Sequence, residues 1–318
     1  MCIEENKNEW IVKDDFNKER IDYWLKKNIP NISYPILCKF IRKGIVRING
    51  KRTKNSHILN TGDIVKFSRQ INIDSPKIIK GNYDKKFSGF IQSLILYKNE
   101  EIIALNKPSG LAVQGGSKVK LNLDLMLDSL KFKLKERPRL VHRLDKQTSG
   151  LMIIARTLKA SKFYADLFKK RLIEKKYLAI VSGKIKEKNG NITSQIYIND
   201  KAFNASTFFK VLDIKQNFTF LILKPITGRK HQIRNHLNSI GNPIYGETKF
   251  KNFNNFKLNN NFHLHSYSLN FKDSLNQSKK ILSPIPDYFL NTLKKYNFDS
   301  TLKDYNLELN EMNNSVRN

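Results

Sequence analysis

The sequence predicts an α+β protein on a mixed or antiparallel sheet, with a small unit of its own in front. Two observations carry this. From residue 91 onward, short apolar runs of strand character recur, at 95–97, 102–105, 151–155, 177–181, 207–211 and 218–223. A few helices interrupt them, and strand runs with a few helices suit an α+β domain. One helix carries Ala160, Phe163, Tyr164, Leu167 and Phe168; another begins near Arg229 and carries Ile233, Leu237 and Ile240; a last one covers 287–296. The organisation reads as a front unit at 15–72, a linker at 73–90, a main domain at 91–297 and a polar tail at 298–318. The linker reading rests on lost periodicity with Pro76 and Gly81, the tail reading on an Asn-rich polar composition.

The front unit is built from two helices and a hairpin. Ile21, Trp24 and Leu25 lie at helical spacing, as do Leu37, Phe40 and Ile41, and Gly44 stands where a helix stop belongs. The alternating run 45–48 then enters an Asn-Gly turn, Asn49–Gly50, and a short strand follows at 63–67. Six bases, Arg42, Lys43, Arg47, Lys51, Arg52 and Lys54, fall within thirteen residues around this hairpin. Clustering of this kind favours a phosphate-binding face over scattered surface charge.

The charge of the whole chain points the same way. With 58 Lys and Arg against 28 Asp and Glu among 318 residues, the net charge is +30. Such an excess suits a polyanionic partner, nucleic acid before an anionic membrane surface. An AT-rich genome would add Lys, but would not place Arg beside the motifs described next. The two cysteines, Cys2 and Cys38, form no C-x-x-C and have no zinc-spaced partners, so neither a disulfide framework nor a metal site is expected. The first residues carry two glutamates and no apolar core, against a signal peptide, and the apolar stretches are too short to span a bilayer. A cytoplasmic monomer is expected, with no cofactor, because no dinucleotide or phosphate glycine loop occurs.

One stretch concentrates chemistry. In RLVHRLDKQTSGLMIIART, residues 139–157, the carboxylate of Asp145 sits between Arg143 and Lys146, and Thr148, Ser149 and Gly150 lead into a buried strand. An Asp in such a loop can simply cap a turn. Arg143 lies two residues back, on the same side of extended backbone, and a strand would hold the acid firmly. A second basic element, TGRKHQIR at 227–234, contains no acid, and its Arg229 stands at a loop-to-helix junction free to hold a carboxylate ionised.

VHRLDKQTSGLMIIAR resembles the signature of the RluA family of pseudouridine synthases. NKPSGLAVQGG, EKKYLAIVSG, LKPITGRKHQIRNHL, GNPIYGETKF and HLHSYSLNF follow in the family's order, from about residue 95 to 272. The segment RIDYWLKKNIPNISYPILCKFIRKGIVRINGKRTKNSHILNTGDIVKF resembles an S4 RNA-binding domain. An S4-like unit before this catalytic domain is most similar to the RluC and RluD type, which modifies large-subunit ribosomal RNA. Departures occur at Gln147, Gln114, Lys230 and Glu247, none of which removes the carboxylate.

The resemblance implies isomerisation of uridine to pseudouridine in large-subunit ribosomal RNA, with Asp145 as nucleophile or as base on a flipped-out uridine. It implies Arg229 as the ion-pair partner of Asp145 and Tyr177 as the stacking platform. Arg143 would fill the vacated stack or pin the backbone. His142, Lys176 and Arg234 are expected at the RNA, together with Arg42, Lys43, Arg47, Lys51 and Arg52 of the front unit. A transfer-RNA substrate, or a ribosome-assembly factor that kept the fold, are the alternative readings.

Overall fold

A computed structural model describes residues 8–29, 32, 34–68, 80–115, 121–198, 201–248 and 261–299. The chain divides into two units, Met1–Tyr83 and Asp84–Asn318.

The first unit opens with strand β1 (Glu9–Ile11), followed by helices α1 (Ile21–Asn28) and α2 (Tyr34–Arg42) and by strands β2 (Val46–Ile48), β3 (Lys51–Arg52) and β4 (Ile64–Phe67). The strands form a sheet in the order β1-β4-β2-β3. Trp24 and Leu25 of α1, Leu37 and Ile41 of α2, and Val46, Val65 and Phe67 of the sheet make one core. The turn between β2 and β3 uses Asn49 and Gly50, both with positive φ, as the sequence required. Arg42, Lys43, Arg47, Lys51 and Arg52 are all exposed. Arg47 and Arg52 face one another across the hairpin.

Helix α3 (Lys80–Ser93) occupies the second half of the expected linker; residues 69–79 lie outside the described set. Gly81 and Gly89, both poor helix formers, hid its periodicity. Strands β5 (Ile95–Lys98) and β6 (Ile102–Lys107), a 3₁₀ segment (Leu123–Leu130), β7 (Arg139–Leu140) and β8 (Ser149–Ala155) come next. Helix α4 (Leu158–Lys169), the long strands β9 (Glu174–Ser182), β10 (Asn189–Ile198), β11 (Lys201–Lys215) and β12 (Phe218–Pro225), α5 (Gln232–Ser239), β13 (Leu264–Lys272), β14 (Ser278–Leu282) and α6 (Asp287–Lys295) complete the unit. Phe298, expected in the polar tail, packs instead into the core beside α6.

The sheet runs β10-β11-β12-β9-β13-β8-β6-β5, with β14 on β13 and β7 on β8. Its pairings are antiparallel except that of β8 with β13, which is parallel. Its central strands are covered on both faces, which explains their unbroken apolar runs. Met152 and Ile154 of β8 face the 3₁₀ segment, while Leu151, Ile153 and Ala155 face α4. Ala179 and Val181 of β9 face α5, while Leu178 and Ile180 face α6. Tyr177 packs against both the α5 cluster and the 3₁₀ cluster, at the seam between them. The functional motifs gather on that side of the sheet.

Candidate active site

The Asp145 loop precedes β8 and is tied down from several directions. Leu144 is buried in the core, and the Thr148 amide donates to the Asp145 carbonyl at 3.1 Å. Gly110 donates its amide to the Lys146 carbonyl at 2.9 Å, and the Ser109 hydroxyl donates to the Gln147 carbonyl at 2.6 Å. Fully buried Lys107 donates to the carbonyls of Pro108 and Leu111 at 2.9 Å and of Lys146 at 3.2 Å. Burial lowers this ammonium to about 7, against the upward pull of the Asp145 charge. At the loop's far end, Gly150 has φ +104°, and a side chain there would meet the Ser266 carbonyl oxygen at 2.3 Å, so only glycine fits.

The carboxylate opens into a cavity of about 460 Å³ lined by Arg143, Lys175, Tyr177, Arg229 and His231, among others. That is room for one nucleoside, within the range of about 300–1,000 Å³ usual for ligand pockets. Asp145 Oδ2 lies 2.9 Å from His231 Nδ1. Burial works to raise the carboxyl's pKa; the His231 hydrogen bond and the charges of His231, Arg234 and Arg143 outweigh it and hold the pKa below the ordinary value. Asp145 is therefore an anion at neutral pH. The phenol of Tyr177 is pushed up to about 12, chiefly by burial and further by the Asp145 charge, so it keeps its proton.

The fold reassigns several of the expected side chains. Arg229 does not pair with Asp145: its Nε donates to the Asn204 carbonyl at 3.4 Å, and its guanidinium lies 4.9 Å from the Phe203 ring centre. Among the described residues, the side chain that bonds the Asp145 carboxylate is that of His231, the N-cap of α5, whose φ of 54° is left-handed. Arg234 is buried and makes a two-pronged ion pair with Glu247, at 2.7 and 2.5 Å, so it backs the site rather than meeting solvent. Lys176 is buried against Glu174 at 3.6 Å. Side chains alternate along a strand, so Lys175, two residues from Tyr177, enters the pocket in its place, reaching the Thr227 carbonyl at 3.4 Å. Burial and the nearby Arg171 lower Lys175 to about 8.

His142 lines the pocket, but its ring is turned inward: Nε2 accepts the Ile153 amide at 2.8 Å, and the ring stacks on Phe168 at 4.2 Å. Burial and Lys175 lower it to about 3, so it stays neutral. Arg143 is exposed at the rim of the pocket. The contacts that the sequence does not announce are those of Lys107 and the bond of His231 to the Asp145 carboxylate. Strand alternation counted from Tyr177 would have selected Lys175.

A family model described as RNA pseudouridylate synthase matches residues 101–239, a span containing Asp145, Tyr177, Arg229 and His231. "Ribosomal large subunit pseudouridine synthase C" of Buchnera aphidicola is 33% identical over 309 residues, 89% of this chain and 95% of that protein. The protein of the same name from Rickettsia bellii is 32% identical over 288 residues, 85% of this chain and 95% of its own length. The chain belongs to the RNA pseudouridylate synthase family. The solved structure of "Human RNA Pseudouridylate Synthase Domain Containing 4" superposes with a TM-score of 0.59 at 24% identity, covering 68% of this chain and 97% of that one, which shows the shared fold. As a pseudouridine synthase the chain is an isomerase, and a pocket holding one ionised carboxylate suits a reaction with no net gain or loss of atoms.

Proposed function

We propose that the chain converts uridines of large-subunit ribosomal RNA to pseudouridine, with Asp145 as the catalytic carboxylate. The observation that carries this reading is an ionised Asp145, held by His231, in a one-nucleoside pocket beside a protonated Tyr177. Relatives matched over most of their length, and named for the large ribosomal subunit, support the substrate class.

In the reaction the bond from ribose C1′ to N1 breaks, the uracil turns, and C1′ bonds to C5. The hydrogen on C5 leaves as a proton and N1 gains one, so atoms balance. Asp145 sits to meet the sugar, as nucleophile at C1′ or as base at C2′. Tyr177 supplies a stacking face for the extruded base, and Arg143 at the rim meets the backbone or the vacated stack. The exposed hairpin bases Arg42, Lys43, Arg47, Lys51 and Arg52 make the first unit an S4-like phosphate-binding module. The enzyme acts as a cytoplasmic monomer; among the described residues no helix is long and apolar enough to cross a membrane.

Profiling pseudouridine across total RNA, with and without the protein, tests substrate and activity together. Sites confined to transfer RNA would overturn the ribosomal assignment, and no sites at all would overturn the enzyme reading. Asp145→Asn should lower tritium release from 5-tritiated uridine by at least about 10³-fold, some 4 kcal/mol of transition-state stabilisation, while RNA affinity stays within about threefold, since phosphate contacts dominate it.

A further inference from the structure

Beside the catalytic pocket lies a second hollow of about 770 Å³, lined by the β10–β11 hairpin. The two cavities share Arg171, Thr227 and Arg229, so one continuous surface passes from Asp145 to the hairpin. The register pairs Thr193 with Ser206 and Gln195 with Asn204, which sets hydroxyls and amides on one face of the two strands. Gln195, Asn204 and Thr193 are exposed, and so is Arg171, at the turn after α4. Arg229 lies at the join, its guanidinium over Phe203 and its Nε on the Asn204 carbonyl. A guanidinium held by an aromatic ring is a rigid plane on which a base can stack, or a cation for its phosphate.

Resting on the function proposed above, we infer that this hollow binds an unpaired nucleotide of the RNA substrate adjacent to the target uridine. The extruded uridine is covalently joined to its neighbours, and the cationic wall of Arg171 and Arg229 gives the connecting phosphate a path out of the catalytic pocket. The amides of Gln195 and Asn204 each offer a donor and an acceptor, the pair of groups needed to recognise a base edge. Site choice is then made partly at this hairpin, by a flanking base, and not wholly by the uridine.

The test has a binding arm and a kinetic arm. Ultraviolet crosslinking of the full-length protein to unmodified large-subunit ribosomal RNA, with peptide mapping, should place a nucleotide between residues 193 and 206. In a fragment carrying a profiled site, the Gln195→Ala/Asn204→Ala double variant should lower kcat/KM by about tenfold to a hundredfold, the size of one or two lost base contacts. An abasic residue at the flanking position should cost the wild type a similar factor and the double variant little more. Crosslinks elsewhere but none on the hairpin, or an unchanged kcat/KM, or equal abasic losses in both proteins, overturn the inference. Crosslinks on the hairpin with no pseudouridine formed would overturn the function reading alone.

Discussion

At the scale of single residues, the site is governed by which cation reaches which acid. Asp145 bonds His231, Arg234 is taken by Glu247, and Arg229 turns to Phe203 and Asn204. Removing His231 takes away the hydrogen bond that holds Asp145 ionised against its burial. His231→Ala should therefore move the acid limb of the kcat/KM–pH profile toward higher pH. Activity depends on the anion, so it is present above the carboxyl's pKa and lost as pH falls through it, and a weaker hold moves that loss upward. An unchanged acid limb would show that His231 does not set the charge state of Asp145. Asp145 and Tyr177 were legible in the sequence because each stands in a motif whose order and spacing are distinctive. The partners were not, because Glu247 and Phe203 are selected by how β11, α5 and the loop before residue 248 meet in space.

At the scale of elements, the 107–111 turn acts as a clamp on the loop that carries the carboxylate. Lys107→Met keeps the volume but strips hydrogen bonds from three carbonyls, and should cost about 3 kcal/mol by urea unfolding near pH 10.5, where the group's contribution is fullest. The pH dependence has a definite sign. Folding depresses this ammonium from 10.5 to about 7. Between those values the unfolded chain holds a proton that the folded chain has released, so the group's contribution to stability is full above about 10.5 and is lost as pH falls through about 7. The wild type should thus gain stability over Lys107→Met as pH rises across that window, and parallel curves would contradict it. The strands themselves were readable as apolar runs, since burial on both faces leaves no polar alternation to blur them. Strand β10 was not, because it lies at the end of the sheet and its sequence, NGNITSQIYI, is largely polar. Helix α3 escaped for the opposite reason, two glycines inside a weakly amphipathic segment.

At the scale of the whole molecule, the +30 charge sets how the chain meets RNA. Each phosphate contact contributes about 0.7 to the slope of log affinity against log salt for a single strand. The combined Arg42→Ala/Arg47→Ala/Lys51→Ala variant should therefore flatten that slope by about 2, read from filter binding over a salt series, and an unaltered slope would remove the hairpin of the first unit from the RNA contact. The helix leading into the second unit left no periodicity to read. One further property follows from how the large sheet is joined. Its two halves meet through the parallel contact of β8 with β13, in which the register pairs just His265 with Ser149 and Ser266 with Gly150. Asp145 is anchored a few residues from this short weld. Warming should open the weld before either half melts, so that turnover fails at a lower temperature than circular dichroism reports, with the amides of 149–151 exchanging deuterium ahead of those inside β9 and β12.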